Sequence, residues 1–158
     1  MKNDIERKFK VDDWRHYIPQ VDIHNVRQIK QGYLSELHGI QSRVRINRYE
    51  VGAVTSNLAV LVPQSEGTRE VFEYAIPLHD AERLFEIAPY QIKKVRQSTE
   101  VSGWLWVIDE FENGLVMAEV KVKTLDAPIQ LPAWIGEEVT GDPEYSNLSI
   151  AKRTCKFV

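Results

Sequence analysis

The sequence predicts an α+β protein built on an eight-stranded closed antiparallel β-barrel, a tunnel with a polar interior and a few helices packed outside. Three observations predict it. Polar and apolar residues alternate with a period of two in eight separate segments, as strands with two unlike faces require. Gly, Pro, Ser and Asn turn signals part these segments, and only three other stretches read as helical. Charge is sorted on the polar faces, with carboxylates on some strands and cations on others at Glu-x-Lys and Arg-x-Arg spacings. A closed barrel with those faces inside accounts for the sorting and leaves no bare strand edge. Periodicity alone leaves equal room for a solvated sheet face with cross-strand ion pairs, so the decision falls to the motifs.

In chain order, residues 4–11 form the first strand. Asp4, Glu6, Lys8 and Lys10 share one face, and Ile5, Arg7, Phe9 and Val11 share the other. Residues 28–34 follow, then 41–49, where Arg43, Arg45 and Asn47 alternate with Val44 and Ile46. Residues 57–62 and 70–76 are the next two strands, parted by the Ser65-Glu66-Gly67 turn. A helix is expected over 79–88, stopping before Pro89. Strands resume at 91–97, 103–112 and 114–123. In the last of these, Glu119, Lys121 and Lys123 alternate with Val116, Ala118, Val120 and Val122. Residues 134–138 and 146–153 are read as helical. Trp104 and Trp106 are expected to pack outside the barrel against a helix.

At 158 residues, with 43% hydrophobic and 27% charged residues, the chain is expected to form one domain, 1–158, with a packed core. A net charge of -3 provides no global field toward nucleic acid or an anionic membrane, so an anion site has to be built locally. No apolar run approaches the roughly 20 residues of a membrane helix. The single cysteine, Cys155, excludes an intramolecular disulfide framework and reads as an incidental tail thiol. A cytoplasmic, soluble protein is expected. His16, His24, His38 and His79 show no metal-ligand spacing.

The run Asp4-Ile5-Glu6-Arg7-Lys8-Phe9 resembles the N-terminal Glu-x-Glu-x-Lys signature of the CYTH superfamily, the triphosphate tunnel metalloenzymes. The resemblance continues through Lys30-Gln31-Gly32-Tyr33-Leu34, Arg43-x-Arg45, Ser65-Glu66-Gly67, Glu73-Tyr74, Lys94-x-Arg96, Asp109 and Glu119. It ends in Trp134-Ile135-Gly136-Glu137-Glu138-Val139-Thr140, a stretch that in the family caps the barrel with a helix. The family fold is an eight-stranded tunnel, which favours the barrel over the solvated sheet.

The resemblance implies hydrolysis of inorganic triphosphate or a related organic triphosphate, dependent on Mg²⁺ or Mn²⁺. Class IV adenylate cyclase and thiamine triphosphatase activities belong to the same family. It also implies a site: Lys8, Arg43, Arg45, Lys94 and Arg96 on phosphate, and Asp4, Glu6, Glu73, Glu119 and, less centrally, Asp109 on metal. Glu6 and Lys8 are the catalytic pair. The chemistry suits the residue types, because paired guanidinium forks match phosphate oxygens and hard divalent ions take carboxylate oxygens. The expected partner is a small-molecule triphosphate or nucleotide, with no nucleic acid and no membrane, and a homodimer is compatible with the reading.

Four positions depart from the family pattern. Asp4 replaces a Glu, Ala75 stands where a second acidic residue is common after Glu73, Gln64 occupies the place of a Lys, and Lys121 that of a Glu. The acidic lining loses two carboxylates and gains one ammonium, which weakens metal affinity by on the order of a few kcal/mol per exchanged charge. Lys121 joins the phosphate-binding set in exchange. A degenerate tunnel that binds triphosphate, nucleotide or another polyanion without turnover is therefore the alternative reading.

Overall fold

The computed structural model describes residues 2–65 and 68–154, and for residues 2–4 the backbone only. Glu66, Gly67 and Cys155 lie outside the described residues. Nine strands form one antiparallel sheet: β1 (Lys2–Val11), β2 (His24–Leu37), β3 (Ile40–Tyr49), β4 (Val54–Pro63), β5 (Thr68–Ala75), β6 (Tyr90–Val101), β7 (Trp104–Phe111), β8 (Val116–Lys121) and β9 (Ile135–Glu138). Two α-helices, α1 (Leu78–Ile87) and α2 (Asn147–Thr154), and three short 3-10 turns complete the regular structure among the described residues. No helix there is long and apolar enough to cross a membrane.

The order β5-β4-β3-β2-β6-β7-β8-β1 closes on itself because β1 pairs with β5 as well as β8. The first four residues of β1 meet β5, with Lys2 opposite Val71 and Ile5 opposite Thr68. Residues 6–10 meet β8 along the other edge, with Lys8 opposite Glu119. The result is the closed eight-stranded barrel predicted by the alternation, with one extra strand.

That extra strand corrects the expectation of a helix over 134–138. Residues 135–138 instead extend along β1 beyond its pairing with β5, placing Phe9 opposite Glu138 and Val11 opposite Ile135. Gly136 lies so close to β1 that a Cβ there would stand 3.0 Å from the Lys10 carbonyl oxygen. On the outer face, the Arg7 fork grips the Glu138 carboxylate at 2.6 and 2.8 Å. A free strand edge supplies hydrogen bonds that four residues after Pro132 could not make as an isolated helix.

The apolar faces look outward and are covered sector by sector. Helix α1 lays Ala81 and Phe85 over Val44 and Ile46. Gly32 permits this approach, since a Cβ there would meet the Ala88 Cβ at 2.7 Å. Trp106, fully buried, packs outside the barrel as expected, but its cover is not an α-helix. Phe9 lies 5.5 Å away and Trp134 5.7 Å, with Trp14 from the 3-10 turn Trp14–His16 in the same cluster. Helix α2 lies over one end of the bore, where Leu148, Ile150 and Ala151 pack against Tyr33, Ile92, Phe111 and Met117. These four belong to inward-facing rows of their strands.

Candidate functional site

Strand register determines what lines the bore. Opposed residues of an antiparallel pair point to the same side, so the inward face can be followed around the barrel. From β1 to β8, Lys8 meets Glu119 and Glu6 meets Lys121. From β8 through β7 to β6, Glu119 meets Val107, and Asp109 meets Arg96. From β6 through β2 to β3, Lys94 meets Ile29, Gln31 meets Arg45, and Tyr33 meets Arg43. Glu73 and Ala75 close the ring through Ala59 and Asn57 on β4. Every sequence-predicted site residue whose side chain is described therefore lies on the face that looks into the bore. Asp4 is opposite Arg69 in the backbone pairing, and its side chain lies outside the described ones.

Three clusters stand out. In the first, Asp109 is buried and both its oxygens are engaged: Arg96 donates at 2.7 and 2.8 Å and the Lys94 ammonium at 2.9 Å. Burial works against the Asp109 charge, but Arg96 and Lys94 outweigh it and hold the carboxyl far below its usual range. Burial, reinforced by Arg96 and Arg45, brings Lys94 down to about 7 although Asp109 opposes it. Lys94 also donates to the Asn147 Oδ1 of α2 at 3.3 Å.

In the second cluster, Glu6 and Glu119 are diagonal neighbours on the inward faces of β1 and β8. Repulsion by Glu119, then burial, raises Glu6 to about 7. Burial also penalises the charge of Glu119, but Lys8 and Arg96 prevail and lower it to about 2. Near neutral pH the pair shares one proton. The Lys8 ammonium sits 3.7 Å from the Glu119 Oε1 and donates to the Tyr145 carbonyl at 3.2 Å.

The third cluster is the arginine pair of β3. Arg43 is 1% exposed, its Nη2 lies 3.4 Å from Glu73, and its Nε has no partner among the described residues. Burial lowers its pKa. Arg45 donates its Nε to the Gln31 Oε1 at 2.8 Å, and Gln31 in turn donates to the Tyr33 hydroxyl at 2.6 Å. Burial first, then Arg43 and Arg96, brings Arg45 down to about 9. Three guanidiniums crowd one another here and suit a polyanion.

For a divalent cation, no group of three carboxylate, histidine or cysteine ligands forms among the described residues. Glu6 and Glu119 nonetheless fit Mg²⁺ or Mn²⁺, which is commonly held by one or two carboxylates plus substrate phosphates. A pair of carboxylates that binds a proton near neutrality is a pair that a cation can relieve of its repulsion.

Sequence reasoning missed three bore residues. Arg69 flanks Glu6 and Arg43, shifting both pKa values, but it lies one residue before the strand expected at 70–76. Arg27 lies one residue before the strand expected at 28–34. Gln31 carries no role of its own in the Lys30 to Leu34 stretch, although its place in the alternation puts it inward, opposite Arg45.

No family model matches the chain. It is 39% identical over 94 residues to an inorganic triphosphatase of Acetivibrio thermocellus, an alignment covering 56% of this chain and 60% of that one. The matched part is thus under two thirds of that relative's length. An inorganic triphosphatase of Nitrosomonas europaea is 30% identical over 158 residues, covering 94% of this chain and 96% of the relative. A crystal structure of an inorganic triphosphatase superposes with a TM-score of 0.66 at 29% identity, covering 96% of this chain and 95% of that one.

Proposed function

The chain belongs to the CYTH superfamily of triphosphate tunnel proteins, and we propose that it is a phosphoanhydride hydrolase that cleaves inorganic triphosphate, or a related organic triphosphate, within its bore. The observation that carries the proposal is the buried Arg43 guanidinium, whose Nε has no partner among the described residues while Arg45 and Arg96 press on the same space. Cations crowded out of water in this way are stabilised by a multiply charged anion. The triphosphatase names of the two relatives agree with it.

In this reading Lys8, Arg43, Arg45, Lys94, Arg96 and Lys121 bind phosphate oxygens and spread the negative charge that develops on them. Asp109 keeps Arg96 and Lys94 charged and aimed, while Glu73 steadies Arg43. Glu6 and Glu119, with Asp4 as the further ligand the family resemblance implies, would hold a divalent ion, and Lys8 would limit the negative charge around it. Mg²⁺ or Mn²⁺ there would supply charge neutralisation and would acidify water. Water then attacks a phosphorus, one phosphoanhydride P–O bond breaks, and inorganic triphosphate gives phosphate and pyrophosphate.

Phosphate release from triphosphate, ATP and thiamine triphosphate, each with Mg²⁺, Mn²⁺ or EDTA, tests the reading. Metal-dependent release from triphosphate is expected. No release from any of the three, with triphosphate still raising the melting temperature, overturns hydrolysis in favour of a binder. One observation favours that second reading: Lys121 stands opposite Glu6, and Ala75 faces the same bore. A tunnel that binds its anion through such cations needs no metal.

A further inference from the structure

One sector of the outer surface, along β4 and β5, lies between the covers described above. Helix α1 covers β2 and β3 at Val44 and Ile46, and the Trp106 cluster covers β1, β7 and β8. In the gap, Val60 of β4 is flanked by Ser42 of β3 and Phe72 of β5, and Leu58 stands beside Tyr74. Opposed residues of antiparallel strands share a side, so these side chains form one outward patch. Leu37 and Ile40, paired at the hairpin joining β2 and β3, extend it. Val60 is 36% exposed, Ile40 45%, Tyr74 62% and Leu37 68%, and none of the four belongs to a buried cluster among the described residues.

The residues of β4 call for a cover here. Leu58-Ala59-Val60-Leu61-Val62 is an unbroken apolar run, the pattern of a strand buried on both sides. Its inward members, Ala59 and Leu61, are buried as that pattern requires, while Val60 remains in water. An extended peptide cannot join this face as a further strand, because β4 is already paired with β3 and β5 along both sides. No outward position over 58–62 and 72–74 carries a charge, so nucleic acid and anionic lipid have nothing to hold.

A second copy of the chain fits in shape and in size. The row Phe72, Val60, Ser42 runs from large to small across the sheet, and Ser35 opposite Ser42 adds a second small side chain. A two-fold axis along β4, between two facing sheets, reverses that row. Each Phe72 then lies over the other copy's Ser42, and the two Val60 side chains meet on the axis. The exposed fractions of Leu37, Ile40, Val60 and Tyr74 amount to roughly 450 Å² of side chain, a patch size that marks interaction sites and over half of the ~800 Å² each partner of a stable pair buries. We propose that the chain forms a two-fold homodimer through the outer face of β4 and β5, with Val60 at its axis. The bore lies on the other side of the sheet, so this pairing stands apart from the triphosphate reading.

Sedimentation velocity of the full chain, from about 1 to 100 µM, tests it with wild type, Val60→Glu, Val60→Lys and an equimolar mixture of the two variants. Wild type is expected at twice the chain mass at the upper concentrations. Each charged variant should dissociate at least about 100-fold more readily, because like charges meet on the axis. The mixture should pair again, and less tightly in about 0.5 M salt, because glutamate then meets lysine. Tyr74→Ser, at a side chain mostly in water, should loosen the pair about ten-fold and serves as the test should circular dichroism show the charged variants unfolded. A wild type that stays monomeric throughout overturns the proposal and leaves the face to an unlike partner. A dimer that none of the variants loosens overturns the face, and loosened variants that fail to pair in the mixture overturn the axis at Val60.

Discussion

Replacing Glu6 with Gln tests the carboxylate pair through stability as well as turnover. In the folded protein Glu6 titrates at about 7, mainly because Glu119 is beside it, against an ordinary value of 4.5. The native state therefore keeps a proton that the unfolded chain releases between those values, and stability falls as pH rises through that window. At about 1.4 kcal/mol per unit, the repulsion costs at most about 3 kcal/mol above neutral pH. Glutamine mimics the protonated acid and removes the repulsion. Thermal melting in EDTA should show Glu6→Gln equal to wild type at pH 4 and more stable at pH 8.5, by up to about 8 °C for a chain of this size. Metal-dependent turnover should be lost at the same time. Equal melting points at pH 8.5 would refute the shared proton, and surviving turnover would remove Glu6 from the metal site.

Three further outcomes are expected. Asp109→Asn strips the counter-charge from buried Lys94 and Arg96, and should lower unfolding free energy by about 3–5 kcal/mol, read as a fall in urea midpoint at constant m-value. Lys121→Glu places a carboxylate opposite Glu6. It should tighten Mn²⁺ binding and weaken metal-free triphosphate binding, each about ten-fold, when titrated by calorimetry. Gly32→Ala forces α1 away from β2, because the new methyl would meet the Ala88 Cβ at 2.7 Å, and should cost about 1–3 kcal/mol in a thermal melt.

What could be read from the chain, and what could not, follows from the range of the forces involved. Arg43, Arg45, Glu6 and Glu119 were legible because alternation is local: each sits two residues from its neighbour on the same face, wherever the partner strand comes from. The β9 segment was not, since Trp134-Ile135-Gly136-Glu137-Glu138 has no run of alternation, and its strand state is imposed by an edge of β1 more than 120 residues earlier. Arg27 escaped because the irregularity beside Asn25 interrupts the period just where the strand continues, and Arg69 because its strand begins at the turn residues. The sorting of Asp109 to Arg96 and Lys94 rather than to open space is likewise a cross-strand fact. It depends on which strand lies alongside, which charge type alone does not specify.

The seam strand has a consequence for synthesis. Because β1 is bordered by β8 on one side and by β5 and β9 on the other, its last partner, Glu138, is translated more than 120 residues after it. At about 5–20 residues per second, the nascent strand waits on the order of ten seconds with an exposed edge that a second ribosome's product can zip onto. Until β8 has been made, no cylinder can seal, and the charges destined for its inside remain hydrated. For this polypeptide the vulnerable interval is set by the pace of elongation rather than by any slow step in the finished chain.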